Sequence, residues 1–255
     1  MEARAGKQLW WQLQASPSFL DLFEKPKIIW QEIQFHSAYC IDVAKYLTNN
    51  KAFIFPSSNT YLLAVLNSPL LWWFTWRYLP HMKDEALNPA GYLMETLPIA
   101  SPTDEIRTEV EPLVTRLIEI TRTDQEVVRD LQDWLRVEYG MEKMGGIVEA
   151  LKTEMTTGRS PLQSDDFITA VKKHLPKKII LTPAQVKALR QTYTDYAPPL
   201  HERAREAKEK ERRLADLINQ AYGLTTEEVE LLWKTAPPRM PGTVKSTLIA
   251  SLLPC

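Results

Sequence analysis

Two kinds of hydrophobic spacing divide the chain near residue 100. Before it, apolar positions come in short dense runs. KIIW at 27–30 and AFIFP at 52–56 are rich in β-branched and aromatic residues, and the second is stopped by Pro56, so each predicts a strand of a small sheet. Ser68-Pro69 supplies an N-cap followed by proline at the first helical position, opening an aromatic helix through about Tyr78. Residues 97–102 (LPIASP) read as an extended exit. After residue 101 the spacing becomes helical. Ser101-Pro102 starts a helix with Ile106, Val110, Leu113, Val114 and Leu117 on one face, which Pro112 should kink or restart. Thr123 and Glu126 form a capping box for a further helix carrying Val127, Leu131, Trp134 and Leu135, stopped by Gly140. Thr182, Pro183 and Gln185 repeat the start signal ahead of Val186, Leu189 and Tyr193, and Thr225 with Glu228 caps a last helix with Val229, Leu232 and Trp233. The charge run HERAREAKEKERR at 201–213 interleaves acids with bases and reads as a solvated helix that turns amphipathic at Leu214, Leu217 and Ile218. The predicted fold is α+β: a small sheet with flanking helices over residues 1–100, then helical regions at 101–175 and 176–255.

Composition sharpens this picture in two places. Aromatic residues are uneven, with 17 of the 24 Phe, Trp and Tyr in the first 100 positions, so the two halves are built differently. Charge is even: residues 1–100 carry eight Lys and Arg against eight Asp and Glu, and the whole chain has a net charge of −1. A module that grips DNA by phosphate neutralisation alone shows a basic excess, and none is present in either half. Residues 62–79 are strongly apolar, but Asn67, Ser68 and Pro69 interrupt the run and Arg77 ends it, which predicts two buried segments rather than a membrane span. The N-terminus (MEARAGKQLWWQLQ) has no apolar run with a cleavage site, and the expected location is the cytoplasm.

The parts an enzyme needs do not assemble. With eight glycines there is neither a Gly-x-Gly-x-x-Gly run nor a Gly-Lys-Ser/Thr phosphate loop. His36, His81, His174 and His201 fall at no metal-ligand spacing, and neither Cys40 nor Cys255 has a paired cysteine nearby. Ser57-Ser58 lacks a nucleophile-elbow context and reads as a loop capping a helix that begins near Thr60. Glu206 and Lys208 match the tail of a nuclease Glu-x-Lys motif, but their mixed-charge setting favours a surface helix. The Asn-Pro-Pro-aromatic motif of amino methyltransferases is not found. No catalytic, cofactor or metal site is expected in this chain.

Three blocks in fixed order carry a resemblance. FEKPKIIWQEIQFHSAYCID at 23–42, AFIFPSSNTYLLAVLNSPLLWWF at 52–74 and YLMETLPIA at 92–100 resemble the TaqI-like C-terminal specificity domain of adenine DNA methyltransferases and fused restriction-modification enzymes. The matching positions are Lys25 to Ile28, Asp42, Tyr61 to Ser68 and Leu97 to Ile99, with KQLWWQLQ at 7–14 similar to the lead-in. DLQDWLRVEYG at 130–140 and LINQAYGLTTEEVELLWKTAPPRMP at 217–241 look like the helical C-terminal region of the longer fused enzymes. The resemblance implies a target recognition domain that binds double-stranded DNA beside a methyltransferase domain or subunit, with or without a nuclease. In that family the catalytic domain lies upstream and uses S-adenosylmethionine, so the cofactor belongs to the catalytic part, which this chain is expected to lack.

Base edges are read by side chains with directional donors and acceptors, most naturally from loops. The DNA-binding candidates are Gln34, His36 and Ser37 after the first strand, Ser57 and Asn59 after the second, and Arg77, His81 and Lys83 after the aromatic helix. Gln and Asn suit adenine and Arg suits guanine, whereas helix capping alone accounts for Ser57 and Asn59. Trp72, Trp73 and Trp76 on one short helix are expected to be core or interface. The competing reading is a helical interaction module that docks onto a methyltransferase or another partner without reading DNA.

Overall fold

The computed structural model describes residues 20–142, 147, 163–176 and 179–242. A short helix α1 (Leu20–Phe23) leads into three strands, β1 (Lys27–Gln31), β2 (Tyr39–Asp42) and β3 (Ala52–Pro56). The sheet order is β2-β1-β3, and both pairings are antiparallel. Register places Ile28 between Ile41 and Phe55, and Trp30 between Tyr39 and Phe53, so alternate residues of all three strands share one face. That aromatic face is knit by Trp30, whose ring stacks on Phe53 at 5.6 Å and lies 6.0 Å from Tyr39. The strand at 39–42 escapes sequence reading because YCID is four residues long and two of them are only half-buried.

Helix α2 (Thr60–Leu66) packs on the sheet and α3 (Pro69–Tyr78) packs on α2, each opened by a side-chain cap: Asn59 accepts from the Leu62 amide, Ser68 from the Leu71 amide. A short helix α4 (Gly91–Met94) follows, and the 97–100 exit is pinned twice: Tyr61 donates its hydroxyl to the Ala100 carbonyl at 2.9 Å, Tyr222 to Pro98 at 2.7 Å. Among the remaining described residues a long helical hairpin sets α5 (Asp104–Tyr139) against α7 (Pro183–Ala221), with α6 (Ser164–His174) packed on α7 and α8 (Thr226–Lys234) after it. One hydrophobic cluster joins the sheet (Ile28, Trp30) to Leu63 of α2, Val114 and Leu117 of α5, and Leu214 and Leu217 of α7. A second joins the far end of the hairpin to α6 through Leu131, Leu135, Phe167, Val171 and Leu189.

Two sequence expectations need correction. The helix that Pro112 is expected to kink or restart continues through Thr123, where a further helix is expected to begin, as one helix of 36 residues. Both residues lie on its exposed side, where the carbonyl freed by proline faces solvent, while the buried stripe runs on from Val110 to Leu135. The 201–213 run is likewise no simple solvated face. Ala204, Ala207 and Glu211 are buried, and Arg203, Glu206 and Arg213 form ion pairs across to α5. The capping boxes at Thr182 and Thr225 form as expected, and Gly140 ends α5 in the left-handed conformation with φ of 61°. Among the described residues no helix is long and apolar enough to cross a membrane.

Candidate nucleic-acid interface

Two loops meet at the Gln31 end of the sheet. The first, residues 32–38, leaves β1; the second, 79–88, leaves α3. Their backbones are tied directly, the Gln34 amide donating to the Leu87 carbonyl at 2.9 Å and the Leu87 amide to the Gln34 carbonyl at 2.8 Å. The Met82 amide closes the second loop on the Ala86 carbonyl at 2.7 Å, around a 3-10 turn at Lys83–Glu85. Within that turn Asp84 and Glu85 hold φ of 58° and 59°, a conformation side chains other than glycine seldom adopt. Ala86 and Leu87 are fully buried beneath it, so a rigid base carries an exposed, strained tip.

The sequence candidates divide by what they do here. Gln34 and Ser37 are buried: Gln34 donates from Nε2 to the Ala38 carbonyl at 3.5 Å, and Ser37 donates to the Leu66 carbonyl at 2.9 Å. Below them Asn67, of the Tyr61 to Ser68 block, acts as a backbone surrogate. Its amide group donates to the Tyr39 carbonyl at 2.9 Å while its Oδ1 accepts from the Tyr39 amide at 3.1 Å. His36 and Lys83 are exposed, one on each loop, together with Phe35 and Met82. Although the His36 ring reaches solvent, its neighbours desolvate it enough to hold its pKa below the usual imidazole value, and the Arg239 guanidinium adds to the depression. His81 places Nε2 2.7 Å from the Trp76 carbonyl oxygen, an acceptor, so that nitrogen carries the proton; its ring lies edge-on to Trp76. Arg77 lies over the Trp73 ring at 3.9 Å and donates to the carbonyls of Trp73 at 2.8 Å and Thr235 at 2.9 Å, clamping α3 to the end of α8. Ser57 and Asn59 sit at the opposite end of the sheet, where Ser57 accepts from the Asn59 amide and Asn59 caps α2.

Trp72 is buried in a cluster with Leu232 and Met240, against which the half-buried Trp73 and Trp76 pack together with Leu224 and Ala236. Sequence reasoning overlooked two residues of the loop cluster, Phe35 and Arg239. Arg239 lies between Pro238 and Met240, with nothing local to mark it, and its approach to the 32–38 loop is purely tertiary. The family-matching Lys27 and Asp42 are an internal clasp, an ion pair sealed from solvent between β1 and β2. Among the described residues no group of three His, Cys, Asp or Glu is arranged to hold a metal ion.

No curated protein and no solved structure matches the chain. Residues 103–218, which span α5 to most of α7, match a domain of unknown function (DUF8810). Residues 6–99, which hold the sheet and both loops of the cluster, match the TaqI-like C-terminal specificity domain.

Proposed function

We propose that this chain is the DNA-specificity part of a restriction-modification adenine methyltransferase system. The two tied loops enter a groove, read base edges, and leave one adenine placed for flipping into the active site of a methyltransferase domain or subunit that binds S-adenosylmethionine. The carrying observation is the loop pair itself: a buried, hydrogen-bonded base inside the matched 6–99 region, with His36 exposed on one loop and Lys83 on the other. Chemistry supports these two as readers. A neutral imidazole offers one donor and one acceptor, and an ammonium suits the acceptor pair of guanine. Gln34, Ser37, His81 and Arg77 set the loops' shape in this reading, while Ser57 and Asn59 contribute as caps. The near-neutral chain leaves phosphate contact to be shared with the catalytic partner.

The test is to fuse the chain behind a related adenine methyltransferase domain and map methylated adenines across the host genome. A new sequence motif, altered by His36→Ala or Lys83→Ala, is the expected result. A folded, active fusion that marks no new motif would overturn the reading.

One observation favours a second reading, docking onto a protein partner. An apolar cleft of about 410 Å³ is lined by Phe53, Phe55, Leu62, Met94 and Ile99, and Phe55 is 49% exposed. Salt separates the two: DNA contact weakens steeply as salt rises, and docking alone gives no DNA affinity to lose.

A further inference from the structure

The segment that follows α8 is anchored at three points. Trp73 donates from Nε1 to the Thr235 hydroxyl at 2.9 Å, Trp72 donates from Nε1 to the Pro238 carbonyl at 3.0 Å, and Met240 is fully buried with Trp72, Leu79 and Leu87. Between the last two anchors Arg239 adopts φ of 60°, a backbone held by its surroundings rather than by its own preference. That turn sends the side chain outward, toward the loop cluster. The guanidinium lies over the Phe35 ring, 5.2 Å from its centroid, and Nη1 and Nη2 both donate to the Asp84 carbonyl at 3.3 and 3.4 Å. Phe35 belongs to the first loop and Asp84 to the strained tip of the second. One side chain therefore touches both loops, and it comes from outside both matched regions, 6–99 and 103–218.

We infer that Arg239 is a positioning residue for DNA readout: it locks the 32–38 loop against the 79–88 loop, so that the rim carrying His36 and Lys83 has one geometry. The inference rests on the loops reading DNA, as proposed above. Planarity makes Arg suited to this place, because one flat group stacks on a ring while pointing two N–H donors at a single carbonyl. A fixed rim matters to specificity because bidentate base contacts tolerate little displacement. The depressed His36 pKa, partly the work of the same guanidinium, agrees with its nearness to the first loop.

Two measurements on the whole chain and its fusion test this. The first is amide hydrogen exchange at Gln34 and Leu87, whose reciprocal hydrogen bonds cross between the loops. In Arg239→Met exchange there should quicken by about tenfold while the α5 and α7 amides stay protected; Arg239→Lys, which keeps the charge but loses the flat two-donor group, should restore only part of the protection. The second is the methylated motif of the fusion, which should lose discrimination at one position or more in Arg239→Met and regain it only in part in Arg239→Lys. Unchanged exchange in Arg239→Met overturns the inference, and so does quickened exchange with an unchanged motif. A wild-type fusion without any motif defeats the DNA reading itself and removes the specificity role with it; the exchange measurement distinguishes that failure from failure of the clamp.

Discussion

Lys27 and Asp42 face each other across β1 and β2 with no exposure to solvent, a costly place for two charges. Their value lies in where the remaining lone pairs and protons go. Asp42 accepts the amides of Ala44 at 2.7 Å and Tyr46 at 2.9 Å, and Lys27 donates to the Phe23 carbonyl at 3.0 Å, so the pair fixes both the loop after β2 and the approach of α1. The two residue types stand in the sequence as parts of a family pattern, but which lysine faces Asp42 is a matter of strand register. His36 shows the same division between what a sequence displays and what folding decides. Its place in a polar loop is legible; its titration is set by desolvation first and by Arg239 second. In the folded chain it should titrate below 6.5, the unperturbed value, as followed by its ring protons in NMR. The unfolded chain, with the ordinary pKa, then binds the proton at higher pH than the folded one. Stability attributable to His36 is therefore intact above 6.5 and declines as the pH falls from there toward the folded midpoint. Arg239→Met should raise that midpoint without returning it to 6.5, because desolvation remains; an unchanged midpoint would contradict the placement of the guanidinium.

At the scale of elements, starts and stops were legible where local chemistry decides them. The Thr182 and Thr225 capping boxes, the Ser68-Pro69 start and the Gly140 stop all form. What failed was the weight given to Pro112 and Thr123, since an internal proline ends a helix only when tertiary packing does not carry it through. Here α7 carries it, by a seam of ion pairs whose members differ sharply in burial. Arg116 and Glu206 pair through both nitrogen–oxygen contacts, at 2.8 and 2.9 Å, which holds the Glu206 carboxyl below its usual range. Arg213 and Glu109 are half exposed, whereas Asp124 is buried and meets Arg203 at 2.6 Å. Removing Asp124 strands the Arg203 guanidinium, one nitrogen of which is already buried without a partner. Asp124→Ala should cost about 3–5 kcal/mol in urea unfolding, against about 0.2–1 kcal/mol for Arg213→Ala. Equal costs would mean the seam is held by its apolar stripe alone.

The described residues are organised around the surface where the sheet and its helices meet the helical hairpin. Ala64, Asn67, Ser68 and Pro69 close on Val114, Leu117 and Leu214 around a residual void of about 10 Å³, hardly room for one water. From sequence the change of spacing near residue 100 marks a boundary of pattern, but a change of pattern does not say whether the core stops there, and this one does not. Leu63, Val65 and Leu66 of α2 belong to the same buried cluster as Val110, Ile120, Leu217 and Ile218. Each large apolar residue uncovered forgoes about 1.5–3 kcal/mol, and domains are stable by only about 5–15 kcal/mol in total. A fragment ending at residue 100 should therefore show no cooperative urea or thermal transition, while the full chain unfolds as a cooperative unit. If the fragment unfolded cooperatively by itself, the hairpin would be an appendage to a self-sufficient N-terminal domain. If it does not, the hairpin and the segment after α8 are structural requirements for the loops, and substitutions far from the loops should alter their geometry by shifting the base on which they stand.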